Sequence, residues 1–130
     1  MPGPPNKKQI PQLEKMVRDL TEPLSRLSDW NWDDRFDTAL IQIPAIEGPK
    51  TIQILSSWLD RIWDETNAGS APEVIQMIID YFGGIRGGQK LLTSNPERDE
   101  LLIGAWWPWG DGQTVSIRLA VHDQSMDASQ

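Results

Sequence analysis

The strongest constraint on the fold is a pair of β-type stretches near the end of the chain, joined by a short polar link. The second stretch, residues 114–123, alternates apolar and polar side chains, a period of two that is typical of a strand with one buried face. Its apolar side holds Val115, Ile117, Leu119 and Val121, and its other side holds Ser116, Arg118, Ala120 and His122. The link over residues 110–113 contains Asp-Gly, which favours a turn. We therefore predict a hairpin of residues 100–109 and 114–123.

Two more stretches extend the predicted sheet. Residues 90–93 are short and apolar, and turn-forming residues follow at 95–99, so a third strand should complete a C-terminal β-meander. Residues 36–43 end in a run of β-prone side chains and predict a strand ahead of Pro44.

Apolar residues at steps of three and four predict three helices. The first covers residues 10–27. Pro23 predicts a kink or break near Leu20, because its ring would clash with the preceding turn of a continuous helix. The alternative is a short second helix that starts at a Thr21 cap. The apolar positions of this segment are Ile10, Leu13, Met16, Val17, Leu20, Leu24 and Leu27.

The other two predicted helices follow the first strand. One opens at Gly48-Pro49 and places Trp58 and Trp63 in a core stripe with Ile52, Leu55, Leu59 and Ile62. The next begins at Ser70, which forms a predicted capping box with Glu73, and ends at Gly83 and Gly84. Its apolar residues surround most of the helix, which predicts deep burial. They are Val74, Ile75, Met77, Ile78, Ile79, Tyr81 and Phe82.

Together these elements predict an α+β fold with about three helices covering one face of an antiparallel sheet. The expected organisation is one domain over residues 10–123, with flexible tails at 1–9 and 124–130. No apolar run suggests export or membrane insertion, so a cytoplasmic protein is expected.

Composition narrows the possible functions. The 130 residues include no Cys and one His, which disfavours disulfides, thiol nucleophiles and the usual metal sites. The formal net charge of −7 disfavours binding to nucleic acid or an anionic membrane. We expect no cofactor, no metal and no catalytic residues, and therefore a protein that is not an enzyme.

Three motifs resemble known catalytic or ligand-binding motifs but lack features that those motifs require. Gly83 and Gly88 have the spacing of a phosphate loop, but Gln and Lys follow where Lys and Ser or Thr are needed. The acidic stretch from Asp29 lacks the Gly and the twelfth-position Glu of an EF-hand; Trp30 and Trp32 are predicted to anchor it as a solvated loop. His122 beside Asp123 is expected to be a surface residue. Arg86 could meet an anion, although the glycine-rich stretch predicts only a helix end and a link.

The seven tryptophans provide the remaining functional signal. Strand alternation places Trp107 and Trp109 on one side of the hairpin and Trp106 on the other. Helices on one face could not bury both sides, so part of this aromatic surface should be exposed and mark an interface. The predicted partner-binding residues are Trp106, Trp107, Trp109 and Arg118.

The leading functional hypothesis is a non-catalytic protein-binding module, assembly factor or chaperone that holds a peptide or tail segment of another protein. A homodimer is also possible. One alternative is carbohydrate or small-ligand binding on the aromatic platform. Another is an acidic inhibitor or immunity-type protein, whose affinity should fall steeply with salt.

Two stretches carry a family resemblance. IQIPAIEG, from Ile41 to Gly48, and LLTSNPERDELLIGAWWPWGDGQ, at 91–113, resemble small cyanobacterial proteins, and a short, acidic, Cys-free α+β chain is similar to small carboxysome shell-assembly factors. The resemblance covers about half of the chain, implies an assembly role and carries over no functional residue. Type III secretion chaperones are similar in size and acidity. Their three strands directly follow the first helix, whereas two helices intervene here, so their binding mode is not transferred.

Overall fold

The computed structural model describes residue 15, residues 31–33 and residues 38–124. We label the strands β1 to β6 and the helices α1 and α2. In chain order the elements are β1 Asn31–Asp33, β2 Thr38–Pro44, α1 Gly48–Leu55, β3 Arg61–Trp63, α2 Glu73–Tyr81, β4 Lys90–Thr93, β5 Glu100–Pro108 and β6 Thr114–Asp123. Short 3-10 turns at Ala45–Glu47 and Ala68–Ser70 precede the two helices.

The strands form one antiparallel sheet in the order β1-β2-β6-β5-β4-β3. The predicted hairpin is confirmed, with register from Glu100 opposite Asp123 to Pro108 opposite Val115. Its turn is closed by the Trp109 N–H, which donates to the Thr114 carbonyl at 2.8 Å. The β4-β5-β6 meander and strand β2 also match the sequence predictions. The α+β class is therefore correct.

Each face of the sheet packs against its own helix. On the first face Ile41, Ile117 and Trp106 form a buried cluster with Leu55 of α1 and with Leu59. On the second face the buried partners of α2 are Leu91, Leu101 and Ile103, which contact Ile75, Ile78 and Ile79. The prediction that helices cover only one face is wrong. Strand β5 is apolar at consecutive positions, and such a strand needs a cover on both sides.

The helix count also differs from the prediction. Within residues 38–124 there are two α-helices, of 8 and 9 residues. The predicted first helix, with its kink, lies outside the described residues except for Lys15, which is helical. The predicted tails at 1–9 and 124–130 lie outside them as well, except for Gln124, whose Nε2 donates to the carbonyls of Pro96 and Arg98 at 2.6 and 2.8 Å. Trp30 is not described, whereas Trp32 lies half-buried in β1 and packs against the first-face cluster.

The predicted second helix is too long. It ends at Leu55, because the hydroxyls of Ser56 and Ser57 bond back to carbonyls one turn earlier and the chain then turns. Trp63 therefore lies in edge strand β3, where its Nε1 donates to Thr93 Oγ1 at 3.0 Å. Its apolar spacing fitted a helix, but its backbone pairs with β4.

The start of α2 differs from the predicted capping box. The Ser70 hydroxyl donates to the Asn67 carbonyl in the preceding turn, and α2 begins at Glu73 without a side-chain cap. The helix is also not deeply buried all round, since Met77 and Tyr81 are exposed. Its predicted end is confirmed: Gly84 has a φ of 96°, and its N–H donates to the Ile79 carbonyl at 2.9 Å.

A membrane-spanning helix needs about 20 apolar residues. No helix in the described part of the chain is long and apolar enough to cross a membrane.

Candidate protein-binding surface

The tryptophan triplet of β5 is divided between the two faces of the sheet. Trp106 points into the first-face core and is 5% exposed. It lies so close to α1 that a Cβ on Gly48 would be 3.3 Å from its Cζ2. Trp107 lies half-buried on the second face, and Trp109, just past the end of the strand, is 44% exposed. Trp106 is therefore a core residue and leaves the candidate surface, whereas Trp107 and Trp109 remain in it.

Trp107 sits in a row of rings that runs from the end of α2 onto the sheet. The Tyr81 and Phe82 rings meet edge to face at 5.2 Å between centroids, and Phe82 meets Trp107 in the same way at 5.4 Å. The guanidinium of Arg118 lies over the Trp107 ring, 4.5 Å from its centroid. We call these four residues, together with Trp109, the aromatic band.

Strand register explains why Arg118 reaches Trp107. Arg118 lies opposite Ala105 and Trp107 lies opposite Ser116, so Arg118 and Trp107 are diagonal neighbours on the second face. Long side chains contact each other across such a diagonal. The small Ala105 side chain lies directly opposite Arg118, on the same face.

Trp109 is held at the end of the band by a hydrogen bond. Its Nε1 donates to the Ser116 hydroxyl at 2.7 Å, so the buried Ser116 hydroxyl has a hydrogen-bond partner. Trp109 is nevertheless 44% exposed, so it combines a fixed orientation with a partly accessible ring. Such a ring loses little conformational freedom when a partner binds.

Helix α2 contributes exposed apolar side chains that were not predicted from the sequence. Tyr81 is 59% exposed, and Met77, one turn earlier on the same stripe, is exposed as well. Ile75, Ile78 and Ile79 supply the buried stripe of α2. The additional apolar residues on this short helix were the sequence signal that some apolar side chains would be exposed.

Charged groups border the band at both ends. The exposed Asp80 precedes Tyr81, and the exposed Asp111 follows two residues after Trp109. Within the described part of the chain neither carboxylate forms a salt bridge. The exposed Arg86 lies in the loop after Phe82, and a Cβ added at Gly88 of that loop would lie 3.6 Å from Pro108 Cγ.

The structure also places the glycine-rich stretch and His122. The Gly83–Gly88 stretch links a helix to a strand, as expected, and Gln89 Oε1 accepts from the Arg86 N–H at 2.8 Å within it. His122 lies half-buried on the second face opposite Leu101. Among the described residues no group of three or more His, Cys, Asp or Glu side chains is placed to hold a metal ion.

Comparison with models of known protein families gave no match, and neither curated protein sequences nor solved structures gave a significant one.

Proposed function

We propose that this chain is a non-catalytic protein-binding module, acting as an assembly factor or chaperone, that holds an extended segment of another protein on the aromatic band. The observation that carries the proposal is the continuous row of rings from Tyr81 through Phe82 to Trp107, with accessible rings at Tyr81 and Trp109. Contiguous exposed aromatic surface on a protein of this size marks an interaction site.

The composition of the band supports a protein partner. Trp, Tyr and Arg are the residues that contribute most to protein interfaces, and the band contains all three. The mutual contacts of Phe82, Trp107 and Arg118 fix these side chains before a partner arrives. Fixed side chains lower the entropy cost of binding.

The size of the band suits a short segment. Ring-to-ring steps of 5.2 and 5.4 Å lead from Tyr81 to Trp107, and Trp109 lies two strand residues further on. The Tyr81 and Trp107 rings are then at most about 11 Å apart, the length of about three extended residues.

Stacking of a sugar on Trp107 is less favoured, because the guanidinium of Arg118 already covers one face of that ring. Trp109 is the remaining ring for such a ligand. A change in tryptophan fluorescence with a panel of glycans, lost in Trp109→Ala, would favour carbohydrate binding over the proposal.

The test is to capture a partner from the native host with the tagged 130-residue chain, followed by hydrogen exchange on the purified complex. The variant Tyr81→Ala/Trp109→Ala should lose the partner, and exchange protection should cover the end of α2 and β5. Ile62→Ala is a matched control, because Ile62 is 42% exposed but lies on edge strand β3 and on the first face. Capture that survives the double substitution, or protection confined to other elements, would refute the proposal.

A further inference from the structure

We propose that Asn67 blocks the free edge of the sheet, because its side-chain amide occupies backbone groups through which β3 of a second copy of this chain would otherwise pair with β3. The proposal does not depend on the aromatic band, which lies on β5, β6 and the end of α2.

Strand β3, Arg61–Trp63, is the outer strand at one end of the sheet. It is last in the strand order, and among the described residues it pairs as a strand with β4 alone. Its middle residue, Ile62, is 42% exposed, and Arg61 is exposed as well. An outer strand presents N–H and C=O groups that can pair with a strand of another chain, so an accessible apolar edge promotes association unless it is blocked.

The side chain of Asn67 bonds to two backbone groups at this edge. Its Nδ2 donates to the Ile62 carbonyl at 3.0 Å, and its Oδ1 accepts from the Asp64 N–H at 2.8 Å. Residues 62 and 64 are two positions apart, so these groups point to the same side of an extended chain. One residue of an added parallel strand would form the same two bonds with its own N–H and C=O. The Asn67 amide therefore takes the place of a residue of a neighbouring strand.

The turn after β3 fixes the backbone of Asn67. The Asn67 N–H donates to the Asp64 carbonyl at 3.2 Å, and the Asn67 carbonyl accepts from the N–H and the hydroxyl of Ser70, both at 3.1 Å. Because the backbone is already ordered, the side chain loses little further freedom when it bonds to the edge. The block is therefore part of the folded turn.

The strand that Asn67 excludes is β3 of a second copy. Two copies of one strand can pair about a two-fold axis, because each presents the same surface to the other. If each Ile62 faces its counterpart, the exposed apolar side chains meet, and each Arg61 lies opposite the counterpart of Trp63, a favourable pair of cation and indole. This pairing needs the Ile62 carbonyl, which Asn67 occupies.

Sedimentation velocity of the 130-residue chain, over a range of protein concentrations, tests the proposal. Asn67→Ala should raise the self-association constant at least about fivefold, the effect of losing one competing hydrogen bond. Hydrogen exchange on the associated variant should show new protection of the Ile62 amide.

Asn95→Ala is the matched control. Asn95 Oδ1 also accepts a hydrogen bond within a turn, from the Glu97 N–H at 2.9 Å, but that turn joins β4 to β5 and does not bond to β3. This variant should associate no more than the unsubstituted chain.

A second substitution tests whether the edge itself associates. Asn67→Ala/Ile62→Lys should return association to the level of the unsubstituted chain, because a charge on an outer strand opposes pairing. If circular dichroism shows that Asn67→Ala does not fold, Asn67→Ser replaces it in every comparison, because the shorter serine side chain cannot reach both backbone groups.

Three outcomes would overturn the proposal. They are equal association of the folded Asn67 variant and the unsubstituted chain, association that persists in the double variant, and new exchange protection at elements other than β3.

Discussion

Arg118 and Trp107, from the paired strands β6 and β5, stack with 4.5 Å between the guanidinium carbon and the ring centroid. Trp is the aromatic side chain that attracts a cation most strongly, and half-burial of both residues limits screening by solvent. Arg118→Met keeps an apolar stem but removes the charge and the planar group. We expect it to lower the free energy of unfolding by about 0.5–2 kcal/mol, measured by urea denaturation.

Two comparisons make that prediction specific. Arg118→Lys should have a free energy of unfolding between those of the original chain and Arg118→Met, because Lys keeps the charge and lacks the flat guanidinium. Arg98→Met, at an exposed turn position, should change stability by less than about 0.5 kcal/mol. Equal effects of Arg118→Met and Arg98→Met would show that the stacked pair contributes nothing to the fold.

The split of the tryptophan triplet predicts opposite phenotypes for neighbouring positions. Trp106→Ala empties a core position that is 5% exposed and should cost about 3–5 kcal/mol of stability. Trp109→Ala removes a partly exposed ring and one hydrogen bond to Ser116, and should cost about 1–2 kcal/mol. Urea denaturation measures both. A larger loss for Trp109→Ala than for Trp106→Ala would contradict the assignment of Trp106 to the core and Trp109 to the surface.

The parts of the fold that sequence predicted are those where the local pattern and the tertiary environment agree. Residues 114–123 alternate strictly, and they form β6 with those bounds. From Leu55 to Trp63 the apolar residues are spaced as in a helix. In the structure, however, the backbone of Arg61–Trp63 pairs with β4. Spacing alone does not contain that pairing, because it depends on residues about 30 positions later in the chain.

The candidate surface was predictable only in part. Alternation correctly separated Trp106 from Trp107, but which side was buried depended on where the helices pack. With helices predicted on only one face of the sheet, the tryptophans on both faces of β5 were candidate binding residues. The structure buries Trp106 against α1 and brings Phe82 from α2 to Trp107. That second contact joins two elements through tertiary packing, so no local pattern could have indicated it.

Gly104 gives a test of the first-face packing. A Cβ at this position would lie 2.7 Å from Leu59 Cδ1 and 3.3 Å from Leu119 Cδ2, both in a buried cluster. Gly104→Ala should therefore lower the free energy of unfolding by about 1–3 kcal/mol through overpacking. Thermal or urea denaturation measures the loss.

A double-mutant cycle locates the cause. If the clash is with Leu59, the variant Gly104→Ala/Leu59→Ala should be more stable than the sum of the two single effects predicts, by about 0.5–2 kcal/mol. Strict additivity would mean that the added methyl group is accommodated elsewhere. Gly69→Ala is the control, because a Cβ at that position would have no atom of a neighbouring element within 4 Å.

Asp64, in the turn after β3, provides a prediction about pH. Its carboxylate accepts hydrogen bonds from the hydroxyl and the backbone N–H of Thr66, and these bonds, with the hydroxyl contributing most, lower the pKa of Asp64 below its ordinary 3.8. Attraction by Lys90 lowers the pKa further. Because the folded state favours the ionised form, the stabilisation is fully present above pH 3.8 and is lost as the pH falls through the lower pKa of the folded protein.

Thr66→Val should move the pKa of Asp64 back toward 3.8, whereas Thr66→Ser should keep it low, and an NMR titration of the Asp64 carboxyl carbon measures both. An Asp64 pKa that is the same in the Val and Ser variants would show that the Thr66 hydroxyl is not the cause.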